Sequence, residues 1–378
     1  MKLVLIGPVY PYRGGIAHYT TLLAKHLAER HQVWVVSFRR QYPKLLFPGR
    51  TDRDPSKRVL KVKAYYILDP LNPLTWWQTT RFICDKAPDG VIMQWWVPFW
   101  APAWWVVIKL IKDYTKILMI CHNTLPHEGN KWLNNLNRRI TRLVLNQADE
   151  LLAQAKTEAE LLKELVPAKS VKCIPFPSYA ELATAFDSGI GPDEAKATLG
   201  LAGQPVLLFF GFVRPYKGLN VLLEAMPQII KTTGAKLVIA GEFWEDRNKY
   251  EELIKALNIK EWVQIIDRYI PNEELPIYFK AADVVVFPYL SATQSAAISL
   301  ALGFGTSVVA TKVGGIIEAI RDRENGWLVE PGNVEALSAA CIEALRQRNN
   351  TRARSLERTG WDSVVKKIEQ VLEQQRTP

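Results

Sequence analysis

Cysteine is scarce in these 378 residues: Cys84, Cys121, Cys173 and Cys341 stand far apart, and no CxxC pair occurs. That excludes a disulfide scaffold or a zinc ribbon and suits a reducing compartment. Three of the four lie in apolar strand- or helix-like runs, so buried thiols are expected. Low-complexity stretches are few, and 48% hydrophobic against 23% charged residues excludes a disordered chain. No GxGxxG motif and no Walker A lysine is present, which removes the commonest nicotinamide and P-loop sites. The opening apolar run, Lys2–Ile6, is too brief for a signal-peptide core, so a non-secreted, cytoplasmic protein is expected. Only Val91–Leu110 could pass for a membrane span. Its Pro98, Pro102 and crowded Trp and Phe rings point instead to a strand, a turn and an amphipathic helix.

What is plentiful is unevenly placed. Residues 1–180 carry 26 Lys and Arg against 13 Asp and Glu, so all of the +10 net charge, and more, belongs to the first half. Nine of the thirteen tryptophans lie there too. Nucleic acid and an anionic membrane both suit a basic surface. Indole rings settle at the headgroup level, so Trp beside Lys and Arg favours the membrane and argues against nucleic acid. Trp95, Trp96, Trp100 and Trp132, with the basic stretch from Asn130 to Arg142, are candidate acceptor or membrane residues, peripheral to the cytoplasmic face. Burial of the rings as core is the rival reading.

Strand-like runs alternate with helical patterns in both halves, which predicts two parallel sheets with helices on both faces. The first set is Lys2–Ile6, Val33–Phe38, Leu60–Ala64, Gly90–Met93, Lys116–Ile120 and Glu150–Ala153. The second is Val206–Phe210, Lys236–Ile239, Val263–Ile266, Val284–Phe287, Ser307–Ala310 and Trp327–Val329. An Ala-, Gly-, Pro- and Asp-rich stretch from Tyr179 to Gln204 separates them. The expected organisation is one Rossmann-like domain over 1–185, a second over 186–360, and a terminal helix over 361–378. Ligands of this architecture bind at the carboxyl ends of the strands, so a cleft between the domains is expected.

Four clusters can carry chemistry. After the first strand, Gly14-Gly15 opens a helix, where free amides and the helix dipole can meet a phosphate. After the first strand of the second half, Arg214 and Lys217 stand three residues apart between Gly211 and Gly218, where two cations can hold a diphosphate and stabilise it as it leaves. Thr293-Gln294-Ser295-Ala296 precedes a helix that Thr293 or Ser295 can cap, forming a second anion site. His122 and His127 follow a strand end, where an imidazole can bind sugar hydroxyls or move a proton. His18, His26 and His31 read as surface or cap residues. Asp52-Arg53-Asp54 has the look of an Asp-x-Asp metal clamp, but no apolar strand leads into it; a solvated loop, and no catalytic metal, is expected.

In this order and on these strands, the pieces resemble the family 4 (group 1) retaining glycosyltransferases of the GT-B fold. The resemblance rests on Gly14-Gly15, the His122 turn, Gly211 through Gly218, Ala282-Asp283 before Val284–Pro288, the run Val308–Glu318 with Gly314-Gly315, Asn325-Gly326, and the helix begun by Trp361. It implies that Gly15, Arg214 and Lys217 meet the phosphates of a UDP- or GDP-sugar donor and that His122 orients the transferred sugar. The acceptor would be lipid-linked or an envelope glycan, and no further cofactor is implied. The Glu-x7-Glu pattern of most relatives is Ala292 and Leu300 here, as in a subgroup with Thr-Gln-Ser, and the usual arginine after Gly211 is Phe212. Those losses leave a second reading open, a non-catalytic partner that binds glycan or lipid.

Overall fold

The structure, a computed structural model, describes all residues except 44–46, 48, 126–130, 352–359 and 375–378. His127 and Asn130 therefore lie outside the described residues. The chain divides into two units.

The first unit holds seven strands: β1 Lys2–Ile6, β2 Gln32–Phe38, β3 Ala64–Leu68, β4 Gly90–Trp95, β5 Lys116–Cys121, β6 Glu150–Ala153 and β7 Ser170–Cys173. They lie parallel in the order β3-β2-β1-β4-β5-β6-β7. Apart from the exposed Lys2 and the buried Gln94, β1 and β4 are apolar and buried, as suits strands covered on both faces. The strand expected at Leu60–Ala64 begins where that run ends. Pairing starts with Ala64 opposite Val35, and Tyr65, Tyr66 and Ile67 supply the aromatic and branched side chains of an edge strand. β7 is four residues of mixed polarity, too short and exposed to leave a pattern in the sequence.

The second unit repeats the plan with β8 Val206–Phe210, β9 Lys236–Ala240, β10 Val263–Ile266, β11 Val284–Phe287, β12 Ser307–Thr311 and β13 Gly326–Val329, in the order β10-β9-β8-β11-β12-β13. Residues Pro55–Arg58 belong to this unit. The Glu273 carboxylate accepts the amides of Lys57 and Arg58, and Ser56 Oγ accepts from Asn272 N at 2.8 Å. The first unit ends at Phe176 rather than near residue 185, because helix Ala180–Phe186 packs on helix Ala296–Gly303. Gly303 allows the close packing: a Cβ there would lie a tight 3.1 Å from the backbone of Tyr179 and Ala180.

Helix Trp361–Glu373 belongs to the first unit. Trp361 packs on Tyr19, with centroids 5.2 Å apart, and stacks on His26. His31 Nε2 meets Glu369 at 2.8 Å, and the buried Lys116 ammonium donates to Val371 O and Gln374 O at 2.6 Å, closing the helix end. His26 and His31, expected at the surface, thus fasten the last helix.

Candidate functional site

In both sheets the strand order reverses beside the first strand, between β1 and β4 and between β8 and β11. Ligands of open α/β sheets bind outside the carboxyl ends at such a point. In the second unit the loops leaving β8 and β11 meet there. Gly218, with φ 65°, lies so close to Pro288 that a Cβ would fall 2.0 Å from its carbonyl oxygen. Leu290 N donates to Tyr216 O at 2.7 Å. The turn bearing Arg214 and Lys217 is therefore fixed on the segment leading to Thr293.

Lys217 is buried, its ammonium 5.4 Å from the centre of the Tyr289 ring. Burial, then the Arg214 charge, pushes its pKa down to about 7. Among the described residues no carboxylate pairs with it. Arg214 lies over the rings of Tyr216 and Trp244, at 5.3 and 5.5 Å, and Trp244 stacks on Phe212 at 4.3 Å. Phe212 thus backs the guanidinium of Arg214 through an indole.

Behind Tyr289, Ser295 Oγ accepts from Ile298 N at 3.3 Å and caps helix Ala296–Gly303, while Thr293 O accepts from Gly315 N at 2.8 Å. Gly314 has φ 48°, and a Cβ there would lie 1.8 Å from Ala292 O. The glycine pair of the Val308–Glu318 run therefore supports the Thr293–Ser295 loop from below. Three separate sequence clusters converge on one corner: two cations beside the amino end of a capped helix. Such an arrangement can hold an anion. Sequence reasoning missed Tyr289, Tyr216 and Trp244. Two further matched motifs are structural: the Asp283 carboxylate accepts from Lys196 Nζ at 2.7 Å and Val206 N at 2.8 Å, and Asn325 Oδ1 accepts from Arg321 N.

In the first unit, Gly14 takes φ 104° and is the N-cap of helix Gly15–Ala28, a glycine that offers no side-chain cap. Behind it, His122 is buried at the end of β5, its ring edge-on to Tyr19 at 4.8 Å and its Nε2 bonded to Gln94 Oε1. Burial holds its pKa to about 3 against a smaller opposing effect of Gln154. The imidazole is neutral near pH 7, which suits hydrogen bonding. The turn after it is anchored where Glu158 accepts the Thr124 amide.

Other expectations are corrected. Trp95, Trp96 and Trp100 lie in the core: Trp100 packs between Phe38 at 4.4 Å and Trp104 at 5.3 Å, and Trp96 Nε1 donates to Tyr42 Oη at 2.6 Å. Rings so enclosed cannot rest on lipid, whereas Trp132 is 71% exposed. Asp52-Arg53-Asp54 is a tied loop rather than a solvated one. Arg13 N donates to Asp52 O, Asp54 N donates to Pro11 O, and Asp54 is buried. Cys121 and Cys341 are buried, but Cys84 and Cys173 are exposed. Among the described residues no group of three or more His, Cys, Asp or Glu is placed to hold a metal ion. Nor, among them, is any helix long and apolar enough to cross a membrane.

Residues 14–177 match the glycosyl transferase 4-like domain, and residues 193–360 match the model of glycosyl transferases group 1. An uncharacterized glycosyltransferase of Methanocaldococcus jannaschii is 31% identical over 170 residues, 43% of each chain. D-inositol 3-phosphate glycosyltransferase 1 of Catenulispora acidiphila is 31% identical over 241 residues, 60% of this chain and 57% of that one. The chain thus spans about half the length of the sequence relatives it matches. Among solved structures, Anabaena HepE in complex with UDP superposes with a TM-score of 0.74 at 18% identity, covering 98% of this chain and 99% of that one. The two halves of the chain thus match two glycosyltransferase domain models, and its pair of parallel sheets has the GT-B fold.

Proposed function

We propose that the protein moves a hexose, with retention, from a UDP- or GDP-sugar to a lipid-linked or envelope glycan acceptor. The observation that carries this is Lys217: a buried ammonium beside Arg214, with no carboxylate partner among the described residues, next to the capped helix Ala296–Gly303. A buried charge is costly unless something neutralises it, and a diphosphate would. As the sugar–oxygen bond breaks, charge grows on the departing phosphate, and Arg214 and Lys217 stabilise it there. That phosphate takes the acceptor proton, so a protein carboxylate nucleophile is not required. Gly14 and Gly15 offer amides to the donor phosphates, Thr293, Gln294, Ser295 and Ala296 offer the second anion site, and neutral His122 orients the sugar. The Anabaena neighbour was also solved with UDP-glucose, which supports a nucleotide-sugar donor. The membrane partner is supported by Trp132 and its neighbours on helix Lys131–Leu145.

The test is calorimetry of UDP, GDP and their sugars, then turnover with lipid-phosphate acceptors. Arg214→Ala and Lys217→Ala should each weaken nucleotide binding tenfold or more, about the worth of one charged hydrogen bond. No binding of any nucleotide by the native protein would sink the transferase reading and leave the binding-partner one.

A further inference from the structure

A second basic hollow lies in the first unit, beside the loop that leads to Gly14. Tyr10, Phe38, Arg39, Arg53, Lys61 and Tyr66 line a cavity of about 370 Å³ where the chain leaves β1 and β2 and enters β3. That volume is at the size of a small-ligand pocket.

Its charge is one-sided. Arg40, next in sequence, is paired with Asp69 at 2.8 Å, whereas among the described residues neither the Arg39 guanidinium nor the Lys61 ammonium meets a carboxylate. Arg53 has one acidic neighbour, Asp52, at 3.6 Å. The cations are placed by aromatic and backbone contacts. Lys61 lies 5.4 Å over Tyr10, Arg53 lies 4.4 Å over Tyr12, and Arg53 donates to Arg39 O at 3.3 Å. The Tyr66 hydroxyl donates to Tyr10 O, closing one wall. The cations are solvent-exposed, and all line the one hollow. Three of them around a tyrosine-lined hollow make a site for an anion carried on a ring-sized body.

We propose that this pocket binds an anionic substituent, phosphate or carboxylate, of a sugar-sized acceptor. The inference rests on the transferase reading for the word acceptor, and on the pocket alone for the anion. Arg39, Arg53 and Lys61 supply the charge, and the exposed ring of Tyr66 offers a platform for the apolar face of a sugar.

Glucose 6-phosphate and glucuronate, with glucose as the neutral control, are to be titrated into the native protein and into Arg39→Gln/Lys61→Gln. In a parallel arm, phosphatidylcholine vesicles with and without a polyprenyl phosphate are tested for capture. The anionic sugars should bind, glucose should not, and the double variant should lose about tenfold or more in affinity at an unchanged unfolding temperature. Capture only by the polyprenyl phosphate vesicles, lost in the same variant, assigns the phosphate to a lipid instead. The exposed Lys61→Gln alone is the readout if the double variant unfolds, and Arg40→Gln is the charge-matched control. Equal binding by native protein and variant, or no binding in either arm, overturns the proposal. UDP titration separates the two failures: UDP bound without anionic sugar or lipid phosphate removes this pocket only, and anionic sugar bound without UDP removes the transferase reading only.

Discussion

The Lys217 ammonium faces the Tyr289 ring at 5.4 Å, in a corner where burial has lowered its pKa from 10.5 to about 7. A cation held in this way destabilises the folded protein and is available to a ligand anion. Between about pH 7 and 10.5 the unfolded chain holds a proton that the folded chain lacks. The Lys217 contribution therefore turns in favour of folding as pH rises through that window, and its full cost is felt below it. Lys217→Met should raise the unfolding temperature by several degrees at pH 6 and by little near pH 10, while UDP affinity falls. In the native protein UDP should bind more weakly as pH rises through 7, with proton uptake on binding. Calorimetry in buffers of different ionisation heat reads both, and a flat profile from pH 6 to 9 contradicts the assignment.

His122 gives the same sign in a lower pH window. Its pKa falls from 6.5 to about 3, so the unfolded chain binds the extra proton between those values and stability is lost as pH drops from 6.5 toward 3. The ring should stay neutral down to about pH 4, visible in its nitrogen and carbon shifts by NMR. Turnover should show no limb near pH 6.5 from this residue. His122→Ala should lower kcat on the order of a hundredfold through misplacement of the sugar, with UDP affinity nearly unchanged.

How far these residues could be read from the sequence depended on the length scale of each cause. The apolar runs of β1, β5, β8 and β12 announce themselves because the middle of a strand buried on both faces is apolar, with Lys2, Lys116, Ser307 and Thr311 only at strand ends. Arg214, Lys217 and Ser295 stand out because glycines and a helix start punctuate them. Tyr289 and Trp244 do not: their roles come from the contact of loops after β8, β9 and β11, which no local pattern encodes. Trp95, Trp96 and Trp100 show the reverse failure. A Trp-rich, basic segment satisfies the membrane pattern, and only the packing of Phe38 and Trp104 on Trp100 shows it to be core.

The C-terminal helix should be held mainly by Trp361. This indole is buried against Tyr19 and His26, and removing it leaves a void with little freedom to collapse. Trp361→Ala should cost about 3–5 kcal/mol, typical for a large buried aromatic side chain. Arg30, which meets Asp362 and Glu369 in partly exposed pairs, should matter far less, about 1 kcal/mol or below for Arg30→Ala. Chemical denaturation followed by hydrogen exchange in β1 and β5 gives both values. Equal losses from the two substitutions would show that the ion pairs, not the indole, fasten the helix.

The membrane partner can be tested on the helices that do expose their rings. Helix Lys131–Leu145 presents Trp132, Leu133, Leu136 and Leu143 to solvent beside Arg139 and Arg142. It packs on helix Ala101–Ile111, which exposes Trp105 with Lys109 over its ring; that helix packs in turn on Pro73–Lys86, which exposes Leu74 and Trp77 beside Arg81. Apolar side chains flanked by cations on adjacent helices are what an anionic interface binds: rings enter the headgroup layer and each cation adds about 1 kcal/mol. The protein should float with phosphatidylglycerol vesicles at low salt and progressively less as salt shortens the Debye length. Arg139→Gln/Arg142→Gln should weaken binding about thirtyfold and flatten the salt dependence, two cations being worth about 2 kcal/mol. Trp132→Ser/Leu136→Ser should leave the salt slope and lower the affinity at every salt concentration, because it removes area rather than charge. If the native protein stays at the bottom of the gradient with anionic lipid at low salt, the exposed rings serve another partner, and the acceptor need not be held at a membrane.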